Sequence, residues 1–250
     1  MNFIPFYQRW RGTILLILAL VIGWQLLYAA IGEVAMRSPL ETLHDSFVLL
    51  AKPSFWPHVQ ETLAAFAMAL VIAVVSGLVI GLALGFNRLA NEVMEPMLVA
   101  FYALPKVTLY PIILLSFGLG ISAKVAFGAI HGVVPIALFT INAVRNIKPI
   151  LIKTGRVMNF SAWDMSRRVL IPAALPEIFS GIRVGFALTL IGTLLGEMFA
   201  SQRGLGYMLM TAIGLHNVET IMAVTFMLIV FAAAISSILL AIDRRLHKRA

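Results

Sequence analysis

Apolar residues run along this chain in long unbroken stretches rather than in alternation. Five charge-poor stretches, residues 13–30, 62–86, 125–144, 184–199 and 220–242, are long enough, or nearly so, to cross a hydrocarbon core that takes about 20 helical residues. A sixth, residues 97–119, is as apolar but carries Pro105, Lys106 and Pro111. With it, the pattern predicts an all-α membrane protein of about six transmembrane helices, organised as a single domain over residues 1–250. Two polar segments interrupt the pattern. Residues 32–61 contain a stretch from Glu41 to Leu50 whose apolar positions fall at helical spacing, which predicts a short interfacial helix. Residues 145–183 form a longer loop in which Ile150, Leu151, Thr154, Val157 and Met158 share one helical face, while Lys148, Lys153 and Arg156 fall away from it. That is an amphipathic helix of about three turns. A polar corner at Asn159, Phe160 and Ser161 follows, then a second short helix over residues 162–168 (Ala162, Trp163, Asp164 and on), with Ser161 and Asp164 spaced as in a capping box. Pro172 and Pro176 are expected to end that helix and hand the chain over to the next span, because proline lacks a donor and restricts its predecessor.

Composition agrees with the pattern. The chain is 61% hydrophobic and 12% charged, with mean hydropathy +0.97, a balance no soluble globular domain of 250 residues has. It contains no cysteine, which excludes a disulfide framework and a thiolate metal site. The net charge of +8 is not a nucleic-acid signature, because the basic residues cluster beside apolar spans. Arg9 and Arg11, then Arg145, Lys148, Lys153, Arg156, Arg167, Arg168 and Arg183, then Arg244, Arg245, Lys248 and Arg249 fall on one face when six spans alternate. That face is predicted to be cytoplasmic, with both termini on it. The first span reads as an uncleaved anchor, since its apolar run exceeds a signal-peptide h-region of about 7–15 residues.

Candidate chemistry is sparse. There is no H-E-x-x-H, no G-x-S-x-G, and no G-x-x-x-x-G-K-[ST], so nothing points to an enzyme, and ATP hydrolysis would have to come from another subunit. Intramembrane polar groups are costly and usually have a task. Lys106 sits beside Pro105, with Tyr110 and Pro111 following, so the third span is broken. Such a break is either an ordinary kink or the border of a substrate path. Lys106 either snorkels or faces a cavity, where it would favour anionic cargo, with Glu197 near the outer mouth as its partner or gate. His131 reads as a hydrogen-bonded packing residue that could also border the path. Gly204 and Gly206, two apart after a polar turn, imply a tight, gate-like bend beside Glu197. Gly77, Gly81 and Gly85 repeat every fourth residue and predict close helix packing within one subunit.

The run Leu170-Ile171-Pro172-Ala173-Ala174-Leu175-Pro176 resembles the cytoplasmic "EAA" loop of ABC importer permeases. With Ala103-Leu104-Pro105, Tyr110-Pro111, Phe117-Gly118-Leu119-Gly120, Pro135, Asn142, Arg145-Asn146-Ile147, Gly181-Ile182-Arg183, Glu197 and Gly204-Leu205-Gly206-Tyr207 in this order, the chain resembles the permeases of the nitrate/sulfonate/taurine class of bacterial ABC importers. The resemblance implies a type I importer permease fold with cytoplasmic coupling helices. It also implies a homodimer, two copies of an ATPase holding ATP and Mg, a periplasmic or lipid-anchored solute-binding protein, and no cofactor on this chain. On this reading the chain lies in a bacterial inner membrane, Lys153, Gly155, Arg156, Asn159, Phe160, Ser161, Ala162, Trp163, Asp164, Pro172 and Pro176 serve ATPase coupling within the cytoplasmic loop 145–183, and Pro105, Lys106, Tyr110, Pro111, His131, Asn142, Glu197, Gly204 and Gly206 border the path. The cargo would be a small anion such as a sulfonate, nitrate, taurine or a similar organic acid, or alternatively a pyrimidine thiamine precursor or riboflavin. The loop departs from the family where Glu, Ala and Gly are usual: Lys153, Gly155 and Asn159 stand there. A stand-alone secondary transporter or channel fits less well, since no inverted repeat is visible.

Overall fold

The computed structural model describes residues 6–199 and 201–247. The side chain of Arg9, and Lys248 and Arg249 in whole, lie outside the described residues. Among them there are helices and no strands: α1 (Phe6–Ile31), α2 (Pro39–Ala51), α3 (Trp56–Phe86), α4 (Arg88–Ala103), α5 (Tyr110–Phe117), α6 (Ile121–Arg145), α7 (Pro149–Val157), α8 (Ala162–Met165), α9 (Ile171–Phe199), α10 (Leu205–Gly214) and α11 (Val218–His247). Five helices are long and apolar enough to cross a membrane, and a sixth span is counted if α4 and α5 are one broken element, bent by 90°. The six expected spans thus fall on helices, each starting before its apolar run, with α4 and α5 together supplying the third.

The chain forms two compact units. One takes the described residues up to Trp56 together with Leu209–Val230; the other takes Pro57–Met208 and the residues from Phe231 on. In the first, α2 is a helix over the stretch from Glu41 to Leu50 where the spacing predicts one. Ser38 accepts from the Glu41 amide while Glu41 reaches back to the Ser38 N–H, a complete capping box. Bonds from the Ser38 backbone and then its hydroxyl hold the Glu41 carboxyl below its usual range. Arg37 pairs with Glu219 and approaches Asp45.

The second unit is built around α6 and α9. Small residues let the helices approach: a Cβ on Gly77 would lie 2.7 Å from Ile136 Cβ, one on Gly81 2.4 Å from Thr140 Cβ, and one on Gly85 2.9 Å from Val144 Cβ. The four-residue glycine stripe of α3 is therefore spent on α6 within the subunit, as expected. On the other side of α6, Gly132 meets Thr189, and Gly192 and Gly185 meet His131 and Ile136. Phe66 of α3 and Phe186 of α9 pack edge to face, 5.1 Å between centroids, and Phe231, Ile235 and Leu239 of α11 close over them.

One expectation fails. Pro172 and Pro176 do not separate a loop helix from a membrane helix: residues 162–199 form one continuous helical element. A π-turn at Ser166–Leu170 precedes Pro172, and the Ile171 N–H bonds back to the Ser166 carbonyl, five residues away. The wider turn realigns the carbonyls ahead of the proline ring, so the helix continues where a regular α-turn would meet both a clash and a missing donor. Pro176 lies buried inside α9, and its carbonyl accepts from the Ser180 hydroxyl at 3.2 Å.

Candidate functional site

Three places in the second unit carry the polar chemistry of the chain. The first is the break between α4 and α5. Pro105 and Pro111 remove two donors, and side chains bond two of the carbonyls at the break. The buried Lys106 ammonium donates to the Tyr102 carbonyl at 3.0 Å, and the Thr108 hydroxyl donates to the Pro105 carbonyl at 2.9 Å. Pro111 stands in the first turn of α5, where its missing N–H costs nothing. Lys106 also lies over the Tyr102 ring, 5.1 Å from its centroid. Among the described residues no carboxylate pairs with it. Tyr110 donates its hydroxyl to the Gly196 carbonyl at 2.9 Å and packs on Phe127, so it holds the broken span to α9.

The second place is a buried cradle around Glu197. Thr62 on α3 donates to both carboxylate oxygens, at 3.0 and 2.8 Å, and the Gly206 N–H donates to Oε2 at 2.9 Å. Lys124 on α6 lies 3.9 Å from Oε1, bonds Glu61 at 2.9 Å, and caps the Arg203 carbonyl at 2.8 Å. The Thr62 hydroxyl in turn accepts the Leu205 N–H at 2.8 Å. Glu197 is 0% exposed and Lys124 1%, so this is a desolvated ion cluster whose every polar atom must be matched. The two glycines make it possible. Gly204 has φ +121, and a Cβ there would fall 2.2 Å from the Glu197 carboxyl carbon; a Cβ on Gly206 would fall 2.4 Å from the Leu194 carbonyl oxygen. The bend expected at Gly204 and Gly206 is thus a clasp on Glu197. His58 accepts the Gly204 N–H at 3.2 Å and stacks on Tyr207. Glu197 is not the partner of Lys106, as had been expected: its cation is Lys124.

The third place is the loop of α7 and α8. α7 ends at Met158, and Asn159 takes φ +52, the left-handed conformation its side chain tolerates. Gly155 is buried against Met165, whose Cε would be 2.6 Å from an added Cβ, so the small residue lets the two helices close on each other. Ser161 caps α8 by accepting the Asp164 N–H at 3.1 Å, Asp164 pairs with Arg168 at 3.1 Å, and the Arg168 guanidinium lies over Phe160. The result is a stapled corner. Its apolar side chains point away from the chain: Val157 is 83% exposed, Trp163 73%, and Ile150, Met158 and Ala162 are also exposed, as are Lys153 and Arg156.

Two sequence-picked positions join none of these places. His131 is buried and bonds the Phe127 carbonyl through Nδ1 at 2.8 Å, a packing role between α6 and α9. Asn142 is exposed and ends α6 through its carbonyl, which accepts the Asn146 N–H.

The family described as the binding-protein-dependent transport system inner membrane component matches residues 73–250, which contain the break, the stapled loop and the Glu197 clasp. The chain belongs to this family. The permease is 30% identical over 212 residues to the riboflavin transport system permease protein of Chloroflexus aurantiacus, covering 84% of this chain and 79% of that one. It is 24% identical over 241 residues to an aliphatic sulfonates transport permease of Bacillus subtilis, covering 96% and 87%. It is 23% identical over 241 residues to the taurine transport system permease of Escherichia coli, covering 94% and 87%. Among solved structures, an inward-facing form of the MetNI methionine ABC transporter superposes with TM-score 0.67 at 21% identity, over 78% of this chain and 99% of that one. That likeness establishes a type I importer permease fold.

Sequence reading missed Lys124, Thr62, Glu61 and His58 in this permease. The usable signal for Lys124 was a lysine directly at the start of the fourth span, opposite in sign to Glu197. A second missed cluster joins α9 and α11: the Ser180 hydroxyl donates to Asp243 at 2.9 Å, and Arg183 lies 3.5 Å from the other carboxylate oxygen.

Proposed function

We propose that this permease moves a small anionic solute, a sulfonate or similar organic acid, into the cytoplasm by ATP-driven alternating access. The observation that carries the reading is the stapled loop of α7 and α8, which holds Ile150, Val157, Met158 and Trp163 exposed on a rigid corner. A rigid apolar knob outside the spans suits the groove of a soluble partner better than it suits water. The partner is an ATPase in two copies, which holds ATP and Mg; this chain binds no cofactor. Two permease copies form the pore, and a periplasmic or lipid-anchored binding protein delivers the solute. Both termini and the loop face the cytoplasm. The permease is naturally free of cysteine, so a single Phe160→Cys variant tests the orientation directly. It is expected to react only with a reagent that has entered the cell; labelling by an impermeant reagent from outside overturns the orientation.

The anionic cargo rests on Lys106, a buried cation at the 90° break with no carboxylate beside it among the described residues. An unmatched ammonium in a low-dielectric break is a costly arrangement that an anion would relieve. Lys106→Met is expected to cut uptake of an organic sulfonate about tenfold, the size of one charge-assisted bond, with unchanged abundance in the membrane. Lys106→Arg is expected to be milder. Unchanged uptake in the methionine variant would leave Lys106 a purely structural residue. The relatives that transport riboflavin and formylaminopyrimidine support a heterocyclic nutrient as the second reading, and then the methionine variant transports normally.

A further inference from the structure

A groove of about 590 Å³ runs between α9 and α11 in the second unit, with Tyr102 of α4 at its border. Its walls are Val184, Ala187 and Leu188 on one side and Ala233 and Leu240 on the other. These fall at helical spacing on each helix, with Ser236 and Ser237 between Ala233 and Leu240 on α11. The charged groups gather at one end. Arg183 is one-third exposed and touches Asp243 with a single nitrogen at 3.5 Å, while its Nε is buried with no hydrogen-bond partner. The Ser236 and Ser237 hydroxyls and Tyr102 line the same groove. Continuing the α11 stripe by one turn from Leu240 reaches Arg244, which is exposed.

We infer that this groove binds an anionic phospholipid, its phosphate between Arg183 and Arg244 and an acyl chain along Ala187, Leu188 and Ala233. The depth fits. Arg183 precedes Glu197 by fourteen residues on one continuous helix, about 21 Å at 1.5 Å per residue. With Glu197 taken to lie at the far membrane face, a hydrocarbon core about 30 Å thick places Arg183 in the half nearest the α7–α8 loop, with the groove's apolar end towards the midplane. A lipid of that leaflet has this polarity: head outward, chain inward. A small hydrated anion has no use for the apolar walls, and basic pockets between helices on the cytoplasmic side suit acidic headgroups. Ile238 and Ile242 beside the groove are exposed, as bilayer-facing residues are. Which leaflet this is rests on the orientation proposed above; binding itself does not, and labelling at position 160 tests that separately.

The test is native mass spectrometry of the delipidated full-length permease titrated with phosphatidylglycerol and with phosphatidylcholine. Wild type is expected to bind phosphatidylglycerol about tenfold more tightly, the size of one charge-assisted bond. Arg183→Gln removes the preference. Ala187→Phe, which fills the apolar wall without touching the Arg183–Asp243 contact, lowers retention of both lipids. Equal binding of the two lipids by wild type, or a preference that survives both substitutions, overturns the proposal. So does Arg183-dependent binding of propanesulfonate by lipid-free permease without binding of phosphatidylglycerol, which would assign the groove to cargo. High-yield disulfide dimers of Ala233→Cys would place a second copy there and overturn it as well.

Discussion

Replacing Asn159 by proline is expected to abolish ATP-driven uptake while leaving the permease in the membrane at normal abundance. Asn159 has φ +52 and its N–H bonds the Arg156 carbonyl at 3.0 Å. Proline fixes φ near −65° and has no N–H, so the corner between α7 and α8 cannot form as it stands. A proline forced against its backbone preference costs about 3 kcal/mol or more, roughly a hundredfold in the population of the docking-competent loop. The spans are untouched, so folding should survive. Asn159→Gly is the matched control, because glycine reaches the same conformation at little cost. The readouts are uptake and solute-stimulated ATP hydrolysis in vesicles containing the whole transporter. Normal uptake by the proline variant would mean that the loop only lies on headgroups. Deleting residues 161–164 should have the same outcome by removing the α8 cap and the Asp164–Arg168 pair.

Lys124→Met is expected to destabilise the permease by about 3–5 kcal/mol, the cost of leaving buried charges without their partner. The substitution strands two carboxylates, Glu61 and the fully buried Glu197, and uncaps the Arg203 carbonyl. Glu197→Gln should cost less, about 1–3 kcal/mol, because shape is kept and Lys124 retains Glu61. Its amide NH₂ then faces donors, from either Thr62 or Gly206. The double variant should be more stable than the sum of the single effects, since removing the carboxylate charge relieves part of what the lysine left behind. Unfolding midpoints in detergent measure this. A lysine variant within about 0.5 kcal/mol of wild type, the usual range for surface changes, would show the cluster to be hydrated rather than buried.

How much of this could be read from the sequence differs by element, for physical reasons. The spans were legible because lipid demands long apolar helices and offers no alternative. The loop's amphipathic helix and its Ser161 cap were legible, because each follows from local spacing and one residue's backbone chemistry. The partner of Glu197 was not. Thr62, Lys124 and Glu61 come from two other helices, and only packing brings them within 4 Å of each other or of Glu197. The sequence hinted at a break after Leu170 that does not exist, because a π-turn, which no residue type announces, absorbs Pro172.

That absorbed break has a mechanical consequence. An element of 38 residues at 1.5 Å each is about 57 Å long, nearly twice the hydrocarbon thickness. One end carries the exposed knob at Trp163, and the other carries Glu197 in its clasp. A hinge at Pro172 would dissipate any displacement of the knob within the loop. A stiff rod instead delivers it along its whole length, so a push of a few ångströms at the Trp163 end arrives at Glu197 as a tilt. The transverse stiffness of this rod, set by the wide turn at residues 166–170, then fixes how much of the work done at the knob reaches the clasp.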